Sequence, residues 1–130
     1  MPVTGVNHIT LTCSDLNRSI AFYIKALDAE LRARWSSGAY LEIGTLWLCL
    51  ERGATSPRDD DSHIAFDCPE AEFANRAEQI REICKVWKEN RSEGASLYFL
   101  DPDGHKLELH AGSLTSRLKS YRDRDDVTFY

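Results

Sequence analysis

Asn7-His8-Ile9-Thr10-Leu11-Thr12-Cys13 and, half a chain later, His63-Ile64-Ala65-Phe66-Asp67-Cys68 are the two stretches that decide the fold. Both alternate as extended strands do. In the first, Ile9, Leu11 and Cys13 share one face while His8, Thr10 and Thr12 share the other; in the second, Ile64, Phe66 and Cys68 lie opposite His63. In each a histidine precedes a cysteine by five residues and a helical pattern follows at once. After Cys13, Ser14 or Asp15 can cap a helix whose Leu16, Ile20, Tyr23 and Leu27 recur at helical spacing. Strand patterns follow around Leu31–Trp35, Ala39–Ile43 and Leu46–Glu51, with Gly44-Thr45 as a tight turn. After Cys68, Pro69 suits the first helical position. Glu70 and Glu72 lie where the helix dipole favours carboxylates, and Phe73, Ala77 and Ile80 form a buried stripe. Strands then return at Val86–Lys88, Leu97–Leu100 and Lys106–His110, the last two joined by the turn Asp101-Pro102-Asp103-Gly104.

One unit is therefore written twice. The expected fold is α+β, with two βαβββ modules at about residues 1–52 and 62–112 of one 1–130 domain. The polar stretch 53–61 is the linker, and a short C-terminal helix over 113–122 carries Leu114, Leu118 and Tyr121 on one side. At 130 residues, 42% hydrophobic and 28% charged, the chain has an ordinary soluble composition. Its formal charge of −5 argues against a nucleic-acid surface. There is no signal-peptide pattern and no apolar run of membrane-spanning length, so a cytoplasmic protein without a membrane partner is expected. Basic residues nevertheless gather late (Lys88, Arg91, Lys106, Arg117, Lys119, Arg122, Arg124), which suits a small anion. The four cysteines form no CxxC pair and read as small apolar residues, Cys13, Cys49 and Cys68 within strand patterns.

Because the aliphatic face of each sheet must pack on its helix, the opposite face is free to become a site. His8, His63 and Glu108 fall on that face, and two imidazoles with one carboxylate suit a divalent metal with coordination positions left open. Each histidine alone reads more simply as a hydrogen-bonded strand residue; the repeat is what joins them. His110 shares the face of Glu108, and His105, in the turn, is expected to be solvated. Thr10, Tyr40, Trp47, Cys49, Ser96 and Tyr98 line the same face. The segment Asn90-Arg91-Ser92-Glu93-Gly94-Ala95-Ser96 is too polar to read as a strand. Its oxygens could wrap a hard cation, with Lys88 and Arg91 beside it for an anion.

These residues carry a resemblance. Asn7–Leu11, Ala33-Arg34-Trp35-Ser36-Ser37-Gly38-Ala39-Tyr40-Leu41, Leu46-Trp47-Leu48-Cys49-Leu50 and Trp87-Lys88-Glu89-Asn90-Arg91-Ser92-Glu93-Gly94, with Tyr98–Gly112, resemble the FosA-type fosfomycin-resistance thiol transferases of the vicinal oxygen chelate (glyoxalase) superfamily. The resemblance runs from about Val6 to Arg122. It implies Mn²⁺ held by His8, His63 and Glu108, the open positions taking fosfomycin's phosphonate and epoxide oxygens. It implies Thr10 beside the oxirane oxygen, Lys88, Ser92, Tyr98 and Arg117 around the phosphonate, and Trp47 and Cys49 in the surrounding lining. K⁺ is implied at Asn90, Ser92, Glu93 and Ser96. Tyr40 and Trp35 are implied beside the thiol co-substrate glutathione, with Tyr40 helping to ionise it. It also implies a module-swapped homodimer in which His8 comes from one subunit and His63 and Glu108 from the other.

Two departures stand out: the ending Asp123–Tyr130 differs from the usual tail, and the linker before His63 is short, with tyrosines that many relatives place beside it replaced by Asp61 and Ile64. Bacillithiol or cysteine is therefore an alternative thiol. An epoxide hydrolase of the FosX type is the nearest rival, but that chemistry needs a carboxylate base near the oxirane, and the hydrolases' Glu is Gly38 here. A plain glyoxalase would need a fourth protein ligand, for which Glu51 is the nearest candidate. A non-catalytic antibiotic binder of the same fold would lack the His–His–Glu set.

Overall fold

The computed structural model describes residues 2–130. The first half runs β1 (His8–Cys13), α1 (Leu16–Leu27), β2 (Glu30–Trp35), β3 (Gly38–Ile43) and β4 (Leu46–Arg52). The second runs β5 (Ile64–Asp67), α2 (Glu70–Arg81), β6 (Val86–Lys88), β7 (Ala95–Leu100) and β8 (Lys106–Ala111), and α3 (Leu114–Ser120) ends it. Each half builds a four-stranded sheet of the same order, β1-β4-β3-β2 and β5-β8-β7-β6. In both, the first strand pairs parallel with the last, and the remaining neighbours are antiparallel. The repeat read from the sequence is thus a repeat in topology, the glyoxalase-like α+β fold.

The chain divides into two compact units. Among the described residues, one holds 2–60 together with Asp101–His105, the other 61–100 and 106–130. In the first, α1 is capped by Asp15, whose carboxylate accepts from Arg18 N at 3.1 Å. Its Leu16, Ile20, Tyr23, Ala26 and Leu27 are buried, as are Ala39, Leu41, Leu48 and Leu50 of the strands. Gly44 closes the β3–β4 turn at φ 57°, a left-handed conformation that a side chain would strain. The Asp101–His105 turn packs into this unit through one buried bond and a pair of exposed ones. Tyr23 donates its hydroxyl to Asp101 at 2.7 Å, and Ser14 donates both its amide and its hydroxyl to Asp103. In the second unit Ala77 and Ile80 of α2 are buried with Phe66, Leu97, Phe99, Leu107 and Leu109. Among the described residues no helix is long and apolar enough to cross a membrane.

Four local expectations are corrected. Pro69 is the residue before α2 rather than its first turn: its ψ of 139° is extended, so the helix begins at Glu70 without a side-chain cap. His63 and Cys68 lie just outside β5, at either end. Ala95 and Ser96 belong to β7, because pairing with Ala111 and His110 outweighs the weak strand preference of these small residues. His105 is not solvated; its Nε2 meets the carbonyl oxygen of Thr12 at 2.7 Å. α3 buries none of its residues, so the Leu114–Leu118 side of it stays exposed.

Candidate active site

In the second unit the geometry centres on Glu108, which β8 points away from α2. Its carboxylate is buried on the free face, with Tyr98 directly opposite on β7. Glu108 Oε1 lies 2.8 Å from His63 Nε2, and Oε2 accepts the Ser96 hydroxyl at 2.6 Å. A hydroxyl has one proton to give, and Ser96 spends it on Glu108; the His110 Nδ1 at 2.6 Å from Ser96 Oγ is therefore the donor of that bond. A chain runs from imidazole through hydroxyl to carboxylate and fixes the orientation of Glu108. His63 is held from behind by the Asp61 carbonyl oxygen, 2.7 Å from Nδ1. Its ring packs against both Trp87 and Tyr98 at centroid distances of 5.4 and 5.7 Å, and those two rings touch each other at 5.3 Å. Trp87 is itself fixed by an indole bond to the Leu107 carbonyl at 3.0 Å.

The donors fit a metal ion. A carbonyl only accepts, so His63 Nδ1 carries a proton, and in the neutral ring Nε2 then aims a lone pair at Glu108. Two acceptors 2.8 Å apart repel unless positive charge lies with them, either a second ring proton or a cation. An imidazole nitrogen and a carboxylate oxygen converging in this way suit a divalent ion of borderline hardness, and the Asp61 and Ser96 bonds orient them as ligand supports commonly do. Among the described residues no three His, Cys, Asp or Glu side chains of one chain gather as a metal-binding group. One chain thus offers the pair His63–Glu108.

Around this pair, Lys88 Nζ stands 5.4 Å from the Tyr98 ring centroid and 3.7 Å from Asp61. The 90–94 loop is knitted by Asn90: its amide nitrogen donates to Gly94 O at 2.9 Å, and its oxygen accepts from both the amide and the hydroxyl of Ser92. Arg117 reaches over from α3 to Ser92 Oγ, Glu93 O and Glu93 Oε2 at 3.0–3.3 Å. Burial alone would weaken the charge of Arg117, but Tyr121 and Glu93 outweigh it and raise the guanidinium above its ordinary value. Of the four residues expected around K⁺, Asn90, Ser92 and Glu93 share this loop, whereas Ser96 turns its hydroxyl to Glu108 and His110.

The first unit presents the other candidates. His8 begins β1, exposed, with Nδ1 2.8 Å from the Asn7 side-chain oxygen. Its ring lies 4.5 Å from Trp47, followed by Tyr40 at 5.1 Å and Trp35 at 4.8 Å, so a row of four rings crosses the free face. Thr10 and Tyr40 flank Cys49 in register on either side. Gly38 is a close fit: a Cβ there would stand 2.6 Å from the Trp35 ring and 2.9 Å from Leu50 O. Cys49 is half-buried and forms no disulfide; in the second unit burial pushes the Cys84 thiol up to about 11. Sequence reasoning missed Trp87 as a ring packed on His63 and gave His110 no role. The alternation of β8 does place His110 on the face of Glu108, but the shared hydroxyl of Ser96 has no sequence signature.

The chain matches the model of the glyoxalase/bleomycin resistance protein/dioxygenase superfamily over residues 5–109. It is 46% identical over 126 residues to glutathione transferase FosA of Serratia marcescens, covering 92% of this chain and 89% of that one. It is 38% identical to metallothiol transferase FosB of Staphylococcus epidermidis, covering 100% and 98%. A solved structure of the fosfomycin resistance protein FosX from Listeria monocytogenes, complexed with Mn(II) and 1S,2S-dihydroxypropylphosphonic acid, superposes with a TM-score of 0.84 at 35% identity, covering 92% and 98%. The chain belongs to the fosfomycin-resistance family of the glyoxalase/bleomycin resistance protein/dioxygenase superfamily.

Proposed function

We propose that the protein is a cytoplasmic, metal-dependent thiol transferase that opens the epoxide of fosfomycin with glutathione, inactivating the antibiotic. The observation that carries the reading is the His63–Glu108 pair, aimed together and fixed from behind by Asp61 and Ser96. The Mn(II) in the FosX structure and the similarity to a glutathione transferase support the choice of metal and thiol. When bound, Mn²⁺ supplies Lewis-acid polarisation of the oxirane oxygen. His8 from a second copy completes the ligand set in a homodimer.

The remaining work falls to this chain's own groups. Lys88, Ser92, Tyr98 and Arg117 offset the phosphonate charge with cations and hydroxyls, and a K⁺ ion held by the oxygens of the Asn90–Gly94 loop adds to them. Tyr40, beside Trp35 and Trp47, hydrogen-bonds the thiol as it ionises. Sulfur then forms a bond to the epoxide carbon next to phosphorus while that carbon's bond to oxygen breaks. The oxygen keeps the electron pair and takes up a proton, with the Thr10 hydroxyl beside it. Gly38 counts against a hydrolase, because the room a carboxylate base would need is taken by the Trp35 indole.

The test is mass spectrometry of fosfomycin incubated with the protein and Mn²⁺, with and without glutathione. A glutathione adduct is expected only with thiol. A diol formed without it would overturn the transferase reading in favour of water as nucleophile.

A further inference from the structure

The free face of the first sheet carries a cleft of about 280 Å³ lined by Arg32, Tyr40, Leu41, Glu42, Thr45 and Trp47, of which the reaction above uses only Tyr40 and Trp47. Two opposite charges stand at its wall. Arg32 Nε lies 3.3 Å from Glu42 Oε1, and its Nη1 lies 3.4 Å from Glu30. Arg32 reaches this position through an irregularity in β2, where the register with β3 slips between Leu31 and Ala33. A bulge of this kind re-aims one side chain, and bulges recur beside functional sites. Glu42 follows Tyr40 by two residues on the same strand face and pairs across the sheet with Trp47.

Resting on the thiol-transferase reading, we propose that this cleft is a specificity pocket for the α-amino-acid head of a γ-glutamyl thiol, Arg32 receiving its carboxylate and Glu42 its ammonium group. The chemistry matches group by group. Glu42 and Glu30 engage Nε and Nη1 of Arg32, which leaves Nη2 as the donor for an incoming carboxylate. A zwitterion satisfies both members of the Arg32–Glu42 pair without net charge, which a simple anion or cation cannot do. The pair is about half exposed, 55% and 47%, so a ligand reaches it without rearrangement of the sheet. Tyr40 and Trp47 wall the cleft and belong to the ring row that ends at His8, so a molecule seated here extends toward the candidate metal ligand.

Spacing selects the kind of thiol. Residues two apart on one strand face are separated by about 7 Å, so a sulfur at Tyr40 and a head at Glu42 must belong to one molecule with several bonds between them. The γ-glutamyl head of glutathione is separated from its thiol in that way. Free cysteine, whose amine and thiol sit on adjacent carbons, is not.

The experiment compares the binding, by calorimetry, of glutathione, of its glutaryl analogue lacking the amino group, of its γ-aminobutyryl analogue lacking the head carboxylate, and of cysteine. The wild-type protein should prefer glutathione to either analogue by about five- to tenfold, the range of a partly exposed charge-assisted contact. Arg32→Ala should erase the preference over the γ-aminobutyryl analogue alone, and Glu42→Gln the preference over the glutaryl analogue alone. Cysteine binding should respond to neither change. Wild-type preferences that survive both substitutions would overturn the pocket. The two levels separate cleanly: matched preferences without an adduct would support the pocket and sink the transferase reading, and an adduct without preferences would do the reverse.

Discussion

At the scale of single residues, the His63–Glu108 contact makes the strongest demand. Glu108→Gln swaps an oxygen donor for an amide that can hydrogen-bond Ser96 but cannot share a divalent ion. Fosfomycin turnover should fall at least ~100-fold while the circular dichroism spectrum is retained. Ser96→Ala leaves Glu108 in place but cuts its bond to Ser96 and, through it, to His110. Mn²⁺ affinity, measured by titration, should weaken about 10- to 100-fold, the usual consequence of losing a ligand's support. An unchanged affinity would mean that the carboxylate is held by other means. The donors themselves were legible because strand alternation sorts faces without any knowledge of the third dimension. Their supports were not. Asp61 acts through its backbone carbonyl, which every residue possesses, and the direction of the Ser96 proton follows only once three heavy atoms are placed together.

At the scale of elements, the turn Asp101–His105 adds hydrogen bonds that stabilise the first unit. Burial alone would lift the Asp103 carboxyl, but the hydroxyl and amide of Ser14, with Arg18, outweigh it and hold it below the ordinary carboxylate range. Asp103 therefore contributes stability that is fully present above the unfolded carboxylate value, about pH 4, and is lost as pH falls through the lower folded value. The wild-type Tm should drop below pH 4 more steeply than that of Asp103→Asn, whose Tm should start lower at neutral pH. Tyr23→Phe, which leaves the buried Asp101 short of one donor, should cost about 1–3 kcal/mol in urea denaturation. Gly38→Glu must displace the Trp35 ring or the Leu50 carbonyl, an overpacking cost of about 1–3 kcal/mol that a fall in Tm would register. Most strands and both long helices were legible from periodicity. What escaped was set by pairing rather than composition: Ser96 is drawn into β7 by His110 across the ladder, and the slip that turns Arg32 toward Glu42 leaves no trace in residue type.

At the scale of the whole molecule, the proposed shared site has a consequence that needs no structure to check. His8→Ala and Glu108→Gln should each be inactive alone. Mixed after unfolding and refolding together, they should recover about one quarter of wild-type activity, because half the dimers are mixed and each of those holds one intact site. No recovery would argue that each chain builds its site unaided. The three tryptophans of the chain, Trp35, Trp47 and Trp87, all touch candidate residues: Tyr40, His8 and His63 respectively. The protein has therefore placed every one of its strong fluorophores where ligands are expected to arrive. Emission from the unlabelled protein should report metal, antibiotic and thiol as they enter, with Trp87 answering to the first and Trp35 and Trp47 to the last.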